Sequence, residues 1–116
     1  MVKYLGITDE NTKCDLCGKP NLKKTVVLDT ENGIVYYGTD CAASALMGKR
    51  SPRNSKIVLG KALAVDYARK IIASHGVKIA QQAVWNKYGY STQIRGDELE
   101  IWGHGDSEPF AKISFK

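Results

Sequence analysis

Cys14 and Cys17 stand two residues apart, Gly18 follows at once, and a third cysteine, Cys41, comes after a stretch patterned as a hairpin. This spacing constrains the fold more than any other feature of the chain. Two thiolates at C-x2-C can reach one metal ion, and a glycine after the second lets the chain turn back so that backbone N–H groups face the sulfurs. Cys41 follows Gly38-Thr39-Asp40 and precedes Ala42-Ala43. It therefore falls on the first turn of a helix, where the helix dipole favours thiolate. Three cysteines cannot form a complete disulfide set within one chain. In a reducing compartment, clustered thiols are better suited to a metal. The expectation is a zinc ion that staples the N-terminal part of the chain.

Structural zinc is four-coordinate, so three thiolates leave one place to fill. Asp40 is the nearest candidate in sequence, and it is also a natural helix cap. His75, His104, a water or a partner's side chain are the alternatives. An open zinc can be catalytic, but that needs a base and a pocket. The chain has no H-E-x-x-H and no H-x-E paired with P-C-x-x-C, and the hairpin over residues 24–38 carries no histidine. The groups of a hydrolase or nuclease are not visible, so an enzyme is the least supported reading.

A length of 116 residues suits one compact unit with a modest core, and 43% hydrophobic with 25% charged residues is ordinary for a globular protein. No apolar run approaches the roughly 18 residues that a membrane span needs. The first residues are too short and polar a run for a signal peptide, so the expected location is cytoplasmic. The net charge of +5 is uneven: residues 97–116 hold five acids and two lysines, a balance of −3, leaving +8 on residues 1–96. A basic body suggests an anionic partner.

Residues 1–8 alternate weakly and read as an edge strand that joins a C-terminal sheet. Lys23 to Asp29 and Ile34 to Tyr37, joined through Asn32-Gly33, read as a hairpin. Thr39 or Asp40 caps a short helix that stops at Gly48. Lys49 to Lys56 is a basic linker, and Ser55 caps a helix over 56–75 with Leu59, Leu63, Tyr67 and Ile71 on its inward stripe and Ala64, Ala68 and Ile72 beside them. A second helix covers 78–88, with Ile79, Ala83 and Val84 towards the core. Residues 91–95 and 98–102 form a second hairpin, and 110–115 a further strand. Trp85 and Trp102 are expected as buried or partly buried anchors. The fold class expected is α+β: a zinc-stapled knuckle, hairpin and helix over 1–48, then two helices and an antiparallel sheet over 49–116, packed as one unit.

Cys14-Asp15-Leu16-Cys17-Gly18-Lys19, the hairpin, and Tyr37-Gly38-Thr39-Asp40-Cys41-Ala42-Ala43 resemble small treble-clef-like zinc-binding proteins, some of them encoded by phages and bacteria. The resemblance covers residues 13–48 and implies fold rather than activity, because treble clefs serve nucleic-acid binding, protein binding and nuclease work alike. Lys19, Lys23 and Lys24 lie beside the knuckle, and Lys49, Arg50, Arg53 and Lys56 follow its helix. Such a surface neutralises phosphates, and Tyr36 or Tyr37 can offer a ring for base stacking. The leading expectation is a non-enzymatic zinc protein that binds nucleic acid. The alternative is a protein-interaction module, such as an accessory factor that binds or inhibits a host protein.

Overall fold

The computed structural model describes residues 2–115. The chain is α+β, with three helices and two antiparallel three-stranded sheets. Strands β1 (Lys3–Thr8), β2 (Thr25–Thr30) and β3 (Gly33–Tyr37) form the first sheet, in the order β1-β2-β3. The β2–β3 hairpin closes at Thr30 opposite Gly33, as the Asn-Gly pair between two β-branched runs predicts.

The first strand lies in this sheet, paired with β2, and not in the C-terminal one. Its register shifts between Tyr4 and Gly6. The bulge leaves backbone groups without strand partners, and the long helix supplies them. Arg69 Nη2 donates to Leu5 O at 2.7 Å, and Ile7 N–H donates to Asp66 Oδ2 at 3.4 Å. The other end of β1 reaches the second half of the chain: Tyr4 N–H donates to Phe110 O at 2.8 Å, and Lys3 Nζ to Pro109 O at 2.7 Å.

Helix α1 (Thr39–Met47) begins one residue after β3. Its N-cap is Gly38, extended at φ −61°, and not Thr39 or Asp40, both of which are already helical. Helix α2 (Pro52–His75) starts four residues before the expected point. Ser51 is its cap, with Oγ accepting from Asn54 N–H at 3.1 Å, and Pro52 occupies the first turn. Proline there has no N–H to waste and its φ is already helical, so Ser-Pro outcompetes Ser55 as a start signal.

Helix α2 buries Val58, Ala62, Ala64, Val65 and Ala68; Ala64 and Ala68 are buried as expected, but Val58, Ala62 and Val65 take the inward places expected of Leu59 and Leu63, which are only half-buried. The helix is apolar on more than one face, and α1, β1 and α3 all pack on it. Helix α3 (Val77–Tyr88) buries Ala80 and Val84. Ile79 and Trp85 are instead 54% and 57% exposed, because Val77, Ala80, Val84 and Tyr88 define the inward stripe.

Strands β4 (Ser91–Arg95), β5 (Glu98–Trp102) and β6 (Ala111–Ser114) form the second sheet, in the order β4-β5-β6. Leu99, Ile101, Ala111 and Ile113 face inward, and Trp102 is half-buried. The core is one contiguous cluster that runs from Tyr4, Val26, Leu28 and Ala43 through α2 to Leu99 and Ile113. Burying each Val, Leu or Ile side chain is worth roughly 1.5–3 kcal/mol, so this cluster holds the two sheets and α2 together. No helix among the described residues is long and apolar enough to cross a membrane.

Candidate metal centre

The segment from Cys14 to Lys19 closes on itself. Cys14 N–H donates to Lys19 O at 3.0 Å, and Gly18 N–H returns to Cys14 O at 2.8 Å. The arms of the loop are drawn together by Leu22 N–H on Thr12 O at 2.8 Å and by Thr25 Oγ1 on Asn11 O at 2.9 Å. Asp15 then docks the loop on the outer strand of the first sheet. Its N–H donates to Tyr36 O at 2.7 Å, and its Oδ2 accepts from Tyr36 N–H at 2.9 Å. One residue past β3, α1 turns back and presents Cys41 on its first turn, with Ala42 and Ala43 buried behind it.

The result is a cluster of three thiols whose sulfurs all lie within 4.8 Å of one another. These thiols can bind a metal ion. Tetrahedral zinc with Zn–S of about 2.3 Å holds its sulfurs about 3.8 Å apart, so the three thiols stand within reach of a common ion. Cys14 and Cys41 are 1% and 5% exposed, and Cys17 is open to solvent. The cluster opens into a hollow of about 140 Å³ whose rim includes Lys19, Leu22, Thr39, Asp40 and Arg50.

Asp40, the expected fourth ligand, lines this hollow but is not among the converging ligand atoms. Its Oδ1 accepts a hydrogen bond from Ser55 Oγ at 2.5 Å. His75 sits exposed at the end of α2, with Nδ1 2.7 Å from Ser74 Oγ. His104 lies against the Tyr90 ring, centroids 5.5 Å apart. Neither histidine joins the thiols.

Burial raises the Cys14 thiol, but backbone N–H groups of Cys17, Gly38 and Leu16, with help from the Cys17 side chain, outweigh it and bring it down to about 7. Cys41 is pushed up to about 11, first by burial and then by the neighbouring sulfurs of Cys17 and Cys14. One thiolate is therefore ready near neutral pH, and each further ionisation is opposed by those already present. A bound cation removes that opposition. Arg50 Nη2 already offers some of this relief, donating to Cys41 Sγ at 3.4 Å.

The seven basic residues singled out from the sequence are all exposed, but they divide among different places. Lys19 and Arg50 both line the thiol hollow. Lys24 lines a separate hollow with Asp66 and Lys70. Arg53 lines a third, with Lys61, Tyr90 and His104. Lys23, Lys49 and Lys56 project elsewhere on the surface, and Lys49 O accepts from Asn54 Nδ2 at 2.9 Å. Tyr36 is half-buried with its backbone engaged by Asp15, and Tyr37 packs against the core.

Sequence reasoning passed over the third hollow entirely. One signal was present: Arg53, Ile57 and Lys61 recur at four-residue spacing, which puts them on one face of a helix. In comparisons with known proteins, no family model matches the chain, no curated protein matches it, and no solved structure matches it.

Proposed function

We propose that Cys14, Cys17 and Cys41 hold one zinc ion in a treble-clef-like lobe, and that the chain is a non-enzymatic, zinc-stabilised protein that binds nucleic acid through its basic surface. The observation that carries this reading is the pairing of Lys19 with Arg50 on the rim of the thiol hollow. These two cations come from segments far apart in sequence, and the knuckle and α1 bring them together. Zinc supplies a structural staple there, with its fourth place taken by water or by a partner. Cys14 and Cys17 in a closed loop, a hairpin, and Cys41 on the following helix converge on one point, which supports zinc over an accidental meeting of thiols.

A rim of lysine and arginine attracts phosphates through charge, and such binding weakens as counterions are added. The test is affinity for labelled single- and double-stranded oligonucleotides across a salt series, on protein shown by native mass spectrometry to carry one zinc. Lys19→Glu with Arg50→Glu is expected to weaken binding and to flatten the log–log salt slope by roughly 0.7–0.9 for each phosphate no longer neutralised. Binding unchanged in that variant overturns the assignment of the surface. Absence of zinc from the native protein overturns the staple.

The protein-interaction reading draws on α3, where Trp85 and Ile79 stand more than half exposed. A stoichiometric protein partner that no longer binds Trp85→Ala, together with no salt-dependent affinity for either oligonucleotide, would favour it.

A further inference from the structure

The hollow that holds Arg53 lies away from the thiols and is built from both halves of the chain. It measures about 340 Å³, at the small end of the range of ligand pockets, about 300–1,000 Å³. Arg53, Ile57 and Lys61 line it from α2 and Met47 from α1, and Tyr90, His104 and Asp106 line it from the segments on either side of the β4–β5 hairpin.

The aromatic part of this lining is rigid. Tyr90 is parallel to Tyr88, with an interplanar angle of 2° and centroids 6.1 Å apart. It meets Phe110 edge-on at 5.2 Å, and Phe110 meets Tyr4 in the same way at 5.4 Å. Tyr67 extends the row on the other side of Tyr88 at 5.8 Å. The rings come from α2, α3, β1 and the segments flanking β4 and β6, so the row is fixed by tertiary packing. A planar ligand meeting it has little ordering left to impose. His104, exposed and tilted 48° to Tyr90, extends the aromatic surface outward.

The charges are arranged to take an anion. Lys61 is already engaged: its Nζ lies 3.4 Å from Asp106 Oδ2 and 5.0 Å from the Phe110 ring centroid. Asp106 also accepts from Gly103 N–H at 2.9 Å. The Asp106 carboxylate is thus balanced, whereas Arg53 has no carboxylate partner among the described residues. The hollow is thus lined by one uncompensated cation, one balanced ion pair and an aromatic surface.

We infer that this hollow binds one nucleotide unit, with the base against Tyr90 and His104 and the phosphate on Arg53. The ligand assignment deepens the nucleic-acid reading above, while the geometry of the hollow is independent of it. The hollow takes a single unpaired base and is too small for a duplex, so the site selects single strands. It also places the stacking ring at Tyr90 and not at Tyr36 or Tyr37. Arg50 and Arg53 lie three residues apart in sequence, on either side of the start of α2. A strand whose backbone crosses the thiol rim at Arg50 can therefore lower its next base into the hollow.

The test uses the full-length zinc-loaded chain, a labelled twelve-nucleotide single strand, a duplex of the same sequence, and adenosine monophosphate alone. His104→Ala and Arg53→Glu are both at exposed positions and leave the core intact. Each is expected to weaken single-strand binding by roughly five- to a hundredfold, the range for removal of one stacked ring or one phosphate-binding cation, with duplex affinity little changed. Tyr90→Phe should keep the affinity and Tyr90→Leu should lose it. The imidazole proton resonances of His104 should shift on addition of either single-stranded ligand.

Full single-strand affinity in His104→Ala and Arg53→Glu, with no His104 shift, overturns the inference. If that affinity is lost only in Lys19→Glu with Arg50→Glu, the nucleic-acid reading stands without the hollow. Binding of the mononucleotide with a His104 shift, but no oligonucleotide affinity, supports the hollow as a free-nucleotide site and overturns the nucleic-acid reading. Binding of neither probe overturns both.

Discussion

Gly6→Ala should be among the most damaging single-atom additions to this protein, and its cost can be worked out from the β1 bulge. Gly6 has φ +132°, a conformation that alanine adopts at a strain cost of about 1–3 kcal/mol. A Cβ at this position would overlap Asp66 Oδ1 and stand 3.3 Å from Arg69 Nη1. Asp66 must swing away, losing its long hydrogen bond from Ile7 N–H and its 3.3 Å ion pair with Arg69. Those two weak interactions together are worth about 1–2 kcal/mol. The expected loss is about 2–5 kcal/mol, or about 8–20 °C in Tm for a chain of this size. Urea unfolding of the metal-loaded protein is the assay, with the slope of stability against urea unchanged. In an Asp66→Ala background the clash is gone and only backbone strain remains, so the double variant should be about 1–2 kcal/mol more stable than the sum of the singles predicts. A loss below about 0.5 kcal/mol for Gly6→Ala, or additivity within about 0.5 kcal/mol, would refute the close approach of β1 to α2.

Three further outcomes are expected. Cys14→Ser and Cys41→Ser should each abolish stoichiometric metal binding and expose the amides of residues 13–48 to hydrogen exchange, since structural zinc contributes about 10–16 kcal/mol of folding energy in small domains; full metal content by native mass spectrometry in both variants would contradict the site. Ser51→Ala should cost about 1 kcal/mol because Ser51 caps α2, whereas Ser51→Asp, which keeps the acceptor for Asn54 N–H, should cost much less; thermal unfolding compares them, and equal losses would contradict the cap. Burial raises the Asp66 carboxyl, only partly countered by Ile7 N–H and by Arg69, Lys70 and Lys24. The folded state therefore holds that proton more tightly than the unfolded chain does. Wild type should gain stability relative to Asp66→Asn as the pH falls from neutral through the raised value, and urea unfolding at a series of pH values, showing no such gain, would contradict the burial of this group.

The parts of the fold that were legible in the sequence are those fixed by neighbours in the chain. Asn32-Gly33 between two β-branched runs specifies the hairpin wherever it stands, and Gly96-Asp97 between 91–95 and 98–102 specifies the other. The meeting of Cys14, Cys17 and Cys41 was legible because knuckle, hairpin and helix are each local, and their order brings the ends together. Features decided between distant segments were not legible. Residues 58–65 read Val-Leu-Gly-Lys-Ala-Leu-Ala-Val, apolar on several faces, so the choice of Val58, Ala62 and Val65 over Leu59 and Leu63 depends on which elements wrap α2. Nothing near Val2 to Thr8 states which sheet the first strand joins. Its bulge is satisfied by Asp66 and Arg69, both far along the chain. The start of α2 was legible in principle: Ser51-Pro52 is a stronger start than Ser55 because proline at the first turn leaves no donor unsatisfied.

The metal cluster and the aromatic hollow meet at the first turns of α1 and α2. Arg50 donates to Cys41 Sγ, and Ser55 donates to Asp40, the residue before that cysteine. Both bonds tie the N-terminus of α2 to the turn of α1 that carries the thiol. Arg53 lies between these two tethers in sequence, so its placement over the hollow depends on them. Tyr90, Phe110 and Lys61 do not: they are held by α3, the second sheet and the middle of α2. Breaking these two bonds should therefore loosen the Arg53 end of the hollow while leaving its aromatic residues in place. On this geometry a metal held by the three thiols would steady the position of a cation in the neighbouring hollow, because the bonds of Arg50 and Asp40 join the turn that carries Cys41 to the start of α2.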